Sequence, residues 1–276
     1  MGYSPSPSLL QAAQAGDRAA LEELLAEEQA RIFRFGMKMC RQQQDAEDIL
    51  QETMLAASRS IGTFRGESSL STWLYTIARS FCMKKRRQGK FAPSTFESLE
   101  VQAGEVEGVV CRGKTPDEEA QNRELQEVLK DALQSLEPEV REVLVLRDME
   151  GLKASEVAQV LAIGVPAVKS RLHRARKALR EALAPILQAP LAERAAICPD
   201  VLAGYSQQLE GELSAHVCAE MEKHLESCPT CRATCDSLKQ TLALCSAYPD
   251  EEVPQAVQES VRIALKGAAR RTSNTR

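Results

Sequence analysis

The chain has 276 residues, 43% of them hydrophobic and 4% aromatic, with a formal net charge of −4; this is enough apolar side chain for packed cores and excludes wholesale disorder. Its opening residues MGYSPSPS lack a basic stretch followed by an apolar one, and no apolar run approaches bilayer length, so the expectation is a cytoplasmic protein with no membrane partner. The net charge hides an uneven distribution: residues 151–187 carry seven basic against two acidic side chains, and residues 190–252 four basic against eleven acidic. A basic stretch invites nucleic acid, and an acidic one beside it can mask that stretch.

Long alternating β-branched runs are missing, whereas Ala, Leu, Glu, Gln, Lys and Arg recur at helical spacing, which predicts an all-α fold. Residues 1–90 form the first expected domain, its helices running from about Leu9 with breaks at Gly16, near residues 41–44 and through 62–71. Residues 91–117 lose the periodicity and hold Pro93, Gly104, Gly108, Gly113 and Pro116, the composition of a flexible linker. Periodicity returns over 118–187, a third unit is expected over 190–247, and 248–276 reads as an amphipathic helix with a frayed tail.

Within the first domain, Ala46, Ile49, Leu50, Thr53, Met54 and Ala57 fall on one helical face, and Asp45, Asp48 and Glu52 line the opposite strip. With no His and no partnering carboxylate helix, that strip reads as a solvated or protein-binding face rather than a metal or acid–base site. Further on, Trp73 and Tyr75 precede Arg79 and the cluster Lys84, Lys85, Arg86 and Arg87. Aromatic rings can hold an unstacked base while the basic groups follow the nucleic-acid backbone; alternatively, Trp73, Leu74, Ile77 and Phe81 are core and only the basic end binds.

In residues 155–162 the apolar positions Val157, Ala158 and Leu161 share one face, Ile163, Gly164 and Val165 supply a turn, and a second helix follows from Pro166. Its inner stripe is Val165, Val168, Leu172, Ala175 and Leu179, which leaves Lys169, Ser170, His173, Arg174 and Lys177 outward. This helix-turn-helix pattern suits a major groove, where Lys and Arg read guanine edges and neutralise phosphate.

Six of the nine Cys fall between Cys198 and Cys245, and in a reducing compartment such thiols serve metal or oxidant better than a disulfide frame. Cys198, then His224 with Cys228 and Cys231 in a C-x2-C knuckle, supply four soft or borderline ligands for a tetrahedral ion. Beyond them His216, Cys218, Cys235 and Cys245 are candidate ligands for a second site, or small apolar core residues. Thiolate-rich sites favour zinc, cadmium or copper(I), and no oxygen cage argues for calcium or magnesium. A Gly-rich phosphate loop, a nucleophile elbow and an HExxH motif are absent, so no enzyme is expected.

Taken in this order, DAEDILQETMLAA, FRGESSLSTWLYTIARSFCMKKRR and LQSLEPEVREVLVLRDMEGLKASEVAQVLAIGVPAVKSRLHRARKALR closely resemble the sigma-70 superfamily. Specifically, they resemble its extracytoplasmic-function group, which keeps regions 2 and 4 alone. The resemblance implies core RNA polymerase and promoter DNA as partners. It assigns polymerase docking to Asp45, Asp48, Gln51 and Glu52, −10 melting and capture to the segment from Phe64 to Arg87, and −35 contacts to Lys169, Ser170, His173 and Arg174. Glu137 stands where the family commonly has Leu and Lys153 where it commonly has Ser or Thr, and neither change touches the DNA-facing helix. The cysteine-rich tail resembles the zinc-binding anti-sigma domain that is normally a separate protein; fused here, it implies a metal-responsive sigma factor, expected to act at promoters of metal-stress genes with no separate anti-sigma factor. Two competing readings are a redox switch, in which zinc thiolates oxidise and release the ion, and a stand-alone helix-turn-helix repressor.

Overall fold

Local capping sets where the helices begin. The structure, a computed structural model, describes residues 6–89, 116–187, 198–249 and 252–273; the expected linker, and with it Cys111, lies outside these residues apart from its last two positions. The helices are α1 (Pro7–Gln14), α2 (Arg18–Met39), α3 (Gln43–Ser60), α4 (Leu70–Gly89), α5 (Pro116–Ser135), α6 (Pro138–Leu144), α7 (Ala154–Leu161), α8 (Val165–Leu183), α9 (Val201–Leu209), α10 (Ala215–Ser227), α11 (Pro229–Ser246) and α12 (Gln255–Ser273). Among the described residues there is no strand, as the periodicity predicts. Asp17 accepts from the Ala19 and Ala20 amides at the start of α2, Ser69 from Thr72 before α4, and Asp200 from Ala203 at α9. Each of these side chains satisfies an amide that the helix itself leaves without a partner.

The helices fall into two units that are not collinear with the sequence: Met1–Ser94, Val145–Ile163 and Pro249–Arg276 form one, and Thr95–Leu144 with Gly164–Tyr248 the other. The region-4-like stretch is thus divided between them, a division the sequence pattern did not suggest.

In the first unit α2, α3 and α4 pack against one another around Leu24, Leu25, Ile32, Phe33, Ile49, Leu50, Met54 and Leu74, all at most 2% exposed. Burying each such side chain contributes about 1.5–3 kcal/mol before entropy is charged against it. The α2–α3 crossing is close because Gly36 lies over Ala46, where an added Cβ would come within 3.0 Å of the Ala46 Cα. Helix α12 lays Val257, Val261 and Leu265, with Val253 just before it continuing the i, i+4 stripe, into this unit against α3 and α2. After α6 the chain forms a π turn over Val145–Met149, with the Glu150 amide donating to Val145 O and Leu152 to Leu146 O. A π turn inserts a residue into the helical register, and here it precedes Glu150, which lies inside the unit.

In the second unit α8 is the central element, packed by α5, α6, α9 and α11. Of the expected stripe, Val168, Leu172, Ala175 and Leu179 are fully buried, as their spacing predicts, and Leu183 extends it, whereas Val165 at the start of the helix is only half-buried. Two arginines of the same helix are buried as well, Arg176 and Arg180. Arg141 of α6 is also inside, donating to Gln134 O at 2.7 Å and Leu136 O at 3.1 Å. It thereby supplies donors to carbonyls at the end of α5 that have no partner within the helix. Helices α9 and α10 approach at Gly204, where a side chain would meet the Met221 thioether.

Candidate metal centre and nucleic-acid interface

The C-x2-C knuckle sits where α10 gives way to α11: Cys228 ends one and precedes the other, Pro229 opens α11 and Cys231 lies in its first turn. His224 comes from the last turn of α10, and Cys198 from the segment that leads into α9. Three chain segments therefore converge, and the ligand atoms of Cys198, His224, Cys228 and Cys231 all lie within 4.8 Å of one another.

The Cys198 and Cys228 sulfurs are 4.0 Å apart, against about 3.8 Å for the edge of a zinc–thiolate tetrahedron with bonds of about 2.3 Å. The His224 Nε2 is buried with no hydrogen-bond partner, an orphaned acceptor of the kind a metal would satisfy. Backbone hydrogen bonding from Cys231 holds the Cys228 thiol below its ordinary value, whereas burial, then hydrogen bonds to Cys228 and Cys198, push Cys231 up to about 12. Protons held on these crowded sulfurs are what a cation would displace. Three thiolates and an imidazole with no open position describe a closed, structural or regulatory site rather than a catalytic one.

The second-site candidates are not assembled. Among the described residues no other group of three or more ligating side chains is gathered. Cys235 and Cys245 are buried on the inner face of α11 with Leu238 and Thr241, Cys218 is half-buried on α10, and His216 is exposed beside Glu220. The helical spacing of Cys235, Leu238 and Cys245 makes them core, with burial raising the Cys235 thiol.

The turn before α8 is formed by Ala162 in the left-handed region (φ 53°) and by Gly164, whose carbonyl accepts from Ala167 and Val168. On α8 Ser170 and Arg174 are exposed and Lys169 and His173 half-buried. Their face is not open. Lys169, Ser170 and His173 line a cleft closed by Ala203, Ser206, Gln207, Glu210 and Glu212 of the α9 segment. Lys169 is ion-paired to Glu212, and Arg176, 2% exposed, donates to Glu210 at 3.0 Å and to Ser206 Oγ at 2.7 Å. Arg180 donates to Ser237 of α11. Sequence reasoning counted Glu210 and Glu212 only as part of an acidic excess, and Arg176 and Arg180 only as basic charge.

In the first unit Asp45 and Asp48 both hold Lys85 of α4, at 2.8 and 2.6 Å. Burial lowers the Lys85 pKa, but the hydrogen bonds to the two carboxylates outweigh it and hold the ammonium above its ordinary value. The expected docking strip and the expected DNA-binding cluster thus meet at one ion triad, while Gln51 is half-buried and Glu52 exposed. Lys84 and Arg87 are exposed, and Arg79 and Arg86 half-buried. Trp73 is half-buried with its ring 5.2 Å from Phe64. Tyr75 differs from the expectation of a base-stacking ring: it is 1% exposed, edge-on to Phe35 at 5.4 Å, because it belongs to the core stripe of α4.

Among the described residues no helix is long and apolar enough to cross a membrane.

Family models match at three places: Sigma-70 region 2 at residues 24–91, Sigma-70, region 4 at 126–179, and a putative zinc-finger at 198–232. The RNA polymerase sigma-H factor of Pseudomonas aeruginosa is 30% identical over 184 residues, 65% of this chain and 94% of that protein. The ECF RNA polymerase sigma-E factor of Haemophilus influenzae is 29% identical over 182 residues, 65% of this chain and 96% of that protein. A solved structure of CnrH in complex with the cytosolic domain of CnrY matches at 24% identity and a TM-score of 0.48, over 63% of this chain and 94% of that one. The chain belongs to the extracytoplasmic-function sigma factors of the sigma-70 family, with a zinc-finger-like domain fused behind its region 4.

Proposed function

We propose that this sigma factor is silenced by its own cysteine-rich domain and that the ion held by Cys198, His224, Cys228 and Cys231 sets the balance between silent and promoter-competent states. One observation carries the reading: Glu212 and Glu210 pair with Lys169 and Arg176 on the helix to which the family assigns −35 recognition. Acidic groups there compete with DNA phosphate for the same cations. On the first unit, Asp45 and Asp48, which the family assigns to polymerase docking, are both engaged by Lys85 of α4, which supports the same conclusion.

The metal enters through α9. Cys198 lies three residues before that helix, whose far end leads to Glu210 and Glu212. The four ligand atoms are already gathered while α9 covers α8, so a zinc ion binding there stabilises the masked form by linkage. A larger thiophilic ion such as cadmium, or one preferring fewer ligands such as copper(I), shifts the balance the other way. That gives a metal-responsive factor suited to promoters of metal-stress genes.

Run-off transcription with core polymerase across zinc, cadmium and copper, comparing wild type with Cys228→Ser, tests this. Zinc should lower the transcript from wild type and cadmium restore it, with Cys228→Ser insensitive to both. A transcript yield that ignores every ion and a chelator refutes metal control; a response to diamide alone would assign the thiols to redox sensing.

A further inference from the structure

The Gln14 side chain reaches out of its own short helix to hold a turn far along the sequence. Its Nε2 donates to Phe64 O at 2.7 Å and to Ile61 O at 3.4 Å. The second of these carbonyls also accepts from the Phe64 amide at 3.1 Å, the bond that closes a 3-10 turn over Ile61–Thr63. One amide group therefore ties both ends of that turn and fixes the direction in which the chain leaves it. Helix α1 is brought to this place by Ala13, 2% exposed, and by its packing on α2 and on the turn itself. All of these residues lie within the first unit.

Phe64 is also where the segment that the family assigns to the −10 element begins. It is buried with its ring tilted against Trp73, and further on Ser69 caps α4 by accepting from the Thr72 amide at 3.1 Å. Between these two anchors Arg65, Gly66 and Glu67 are exposed and Ser68 is half-buried, with Gly66 in the left-handed region at φ 74°. Leu70, Ser71, Thr72, Leu74 and Tyr75 are all inside. Over residues 64–75 the groups within reach of an unpaired strand are therefore those of the loop and of Trp73. A loop free to take many shapes binds more weakly by the fraction of time it spends in the wrong ones. An apolar side chain would anchor α1 as well as Gln14 does; an amide with two donors also sets the orientation of the carbonyls it holds, and so of the loop that follows.

We propose that Gln14 is a positioning residue for capture of the −10 strand: by holding the turn from Ile61 to Phe64 it presets the loop of residues 65–68 before the strand arrives. It touches no DNA itself. This role presupposes the family's assignment of residues 64–87 to the −10 element. It is separate from the silencing reading, since it acts once the chain has joined polymerase.

The test uses holoenzyme assembled from the full chain and core polymerase in the presence of a chelator, which on the silencing reading leaves the chain promoter-competent. A promoter is first selected from a randomised pool by the wild-type holoenzyme. The probe is the single non-template strand across its −10 element, followed by fluorescence anisotropy at one fixed salt concentration. Gln14→Met keeps the length of the side chain and removes both donors. It should weaken strand binding by about fivefold, the worth of one net hydrogen bond, and leave core binding unchanged. Gln14→Glu has the same shape but only accepts, so it should lose at least as much, and it serves in place of the methionine variant if that one misfolds. Gln11→Met, on the exposed side of the same helix, should change nothing. Arg65→Ala should also weaken strand binding, and adding Gln14→Met to it should cost less than about twofold more, because both act through one loop. A merely structural role for Gln14 predicts its full loss again in that background. In the free chain, amide exchange over residues 64–69 should quicken in Gln14→Met while that of α3 stays as it was. Folded Gln14 variants that bind the strand like wild type while Arg65→Ala does not overturn the positioning role, and so does an equal loss of core binding. If Arg65→Ala also binds like wild type, the −10 assignment of the loop fails and the role of Gln14 falls with it.

Discussion

Removing Glu210 should unmask the recognition helix, by an amount that follows from the burial of its partner. The Arg176 and Glu210 side chains are 2% and 5% exposed, and deleting one member of a pair that deeply buried costs about 3–5 kcal/mol. Ser206 O and Oγ still accept from the guanidinium, at 3.2 and 2.7 Å, which places Glu210→Ala at the lower end, about 3 kcal/mol. At about 1.4 kcal/mol per tenfold, the equilibrium between covered and uncovered α8 moves by about 100-fold. Fluorescence anisotropy with a −35 duplex at one fixed salt concentration reads the change, since the affinity gain is limited only by the fraction of chain initially covered. Arg176→Met and Glu210→Leu alone should each also release α9, and Arg176→Met/Glu210→Leu should lie close to wild type. The double-mutant cycle therefore predicts a coupling above about 1 kcal/mol. Single effects that add to within about 0.5 kcal/mol would mean that the pair does not hold α9 in place, and the argument from burial would be wrong.

The metal site predicts uptake of one cobalt(II) per chain with the absorption of a tetrahedral thiolate complex, lost in Cys228→Ser; because a proton must leave the sulfurs for the ion to bind, apparent affinity should fall as pH falls. Glu28 is fully buried beside Ser71, and burial raises its pKa with Arg31 partly opposing. The folded chain therefore holds that proton more tightly than the unfolded chain, and this contributes stability below the unfolded value that is lost as pH rises through the folded one. Glu28→Gln should raise the urea midpoint at pH 7 and lose its advantage near pH 4; a constant difference between the two would refute the assignment. Gly36→Ala should destabilise by about 1–3 kcal/mol through the clash with Ala46, whereas Gly267→Ala, with open space around it in α12, should stabilise by about 0.5–1 kcal/mol; thermal melts of both variants separate packing from helix propensity.

Periodicity and local spacing made much of this molecule legible. The stripes of α3 and α8 and the four-ligand cluster depend on residues close in sequence, or on a knuckle whose chemistry is specific. What stayed hidden depends on partners far apart in the chain. Arg176 reads as surface charge until Ser206 and Glu210 are brought to it, and Glu150 reads as a solvated acid until Lys38 and Tyr75 enclose it. Tyr75 illustrates the ambiguity of an aromatic beside a basic cluster: its spacing fits a core stripe as well as a stacking platform, and packing against Phe35 settled the matter for this state. The stripe on α12 was visible, but an amphipathic helix does not name the surface it covers.

Helix α12 is translated after everything it covers. Between the emergence of α3 and that of Gln255, ribosomes at about 5–20 residues per second need on the order of ten to forty seconds. Through that interval the face of α3 against which α12 packs is bare on the nascent chain, and on the silencing reading proposed above each newborn molecule passes through a brief window in which it can reach polymerase before its restraint is complete.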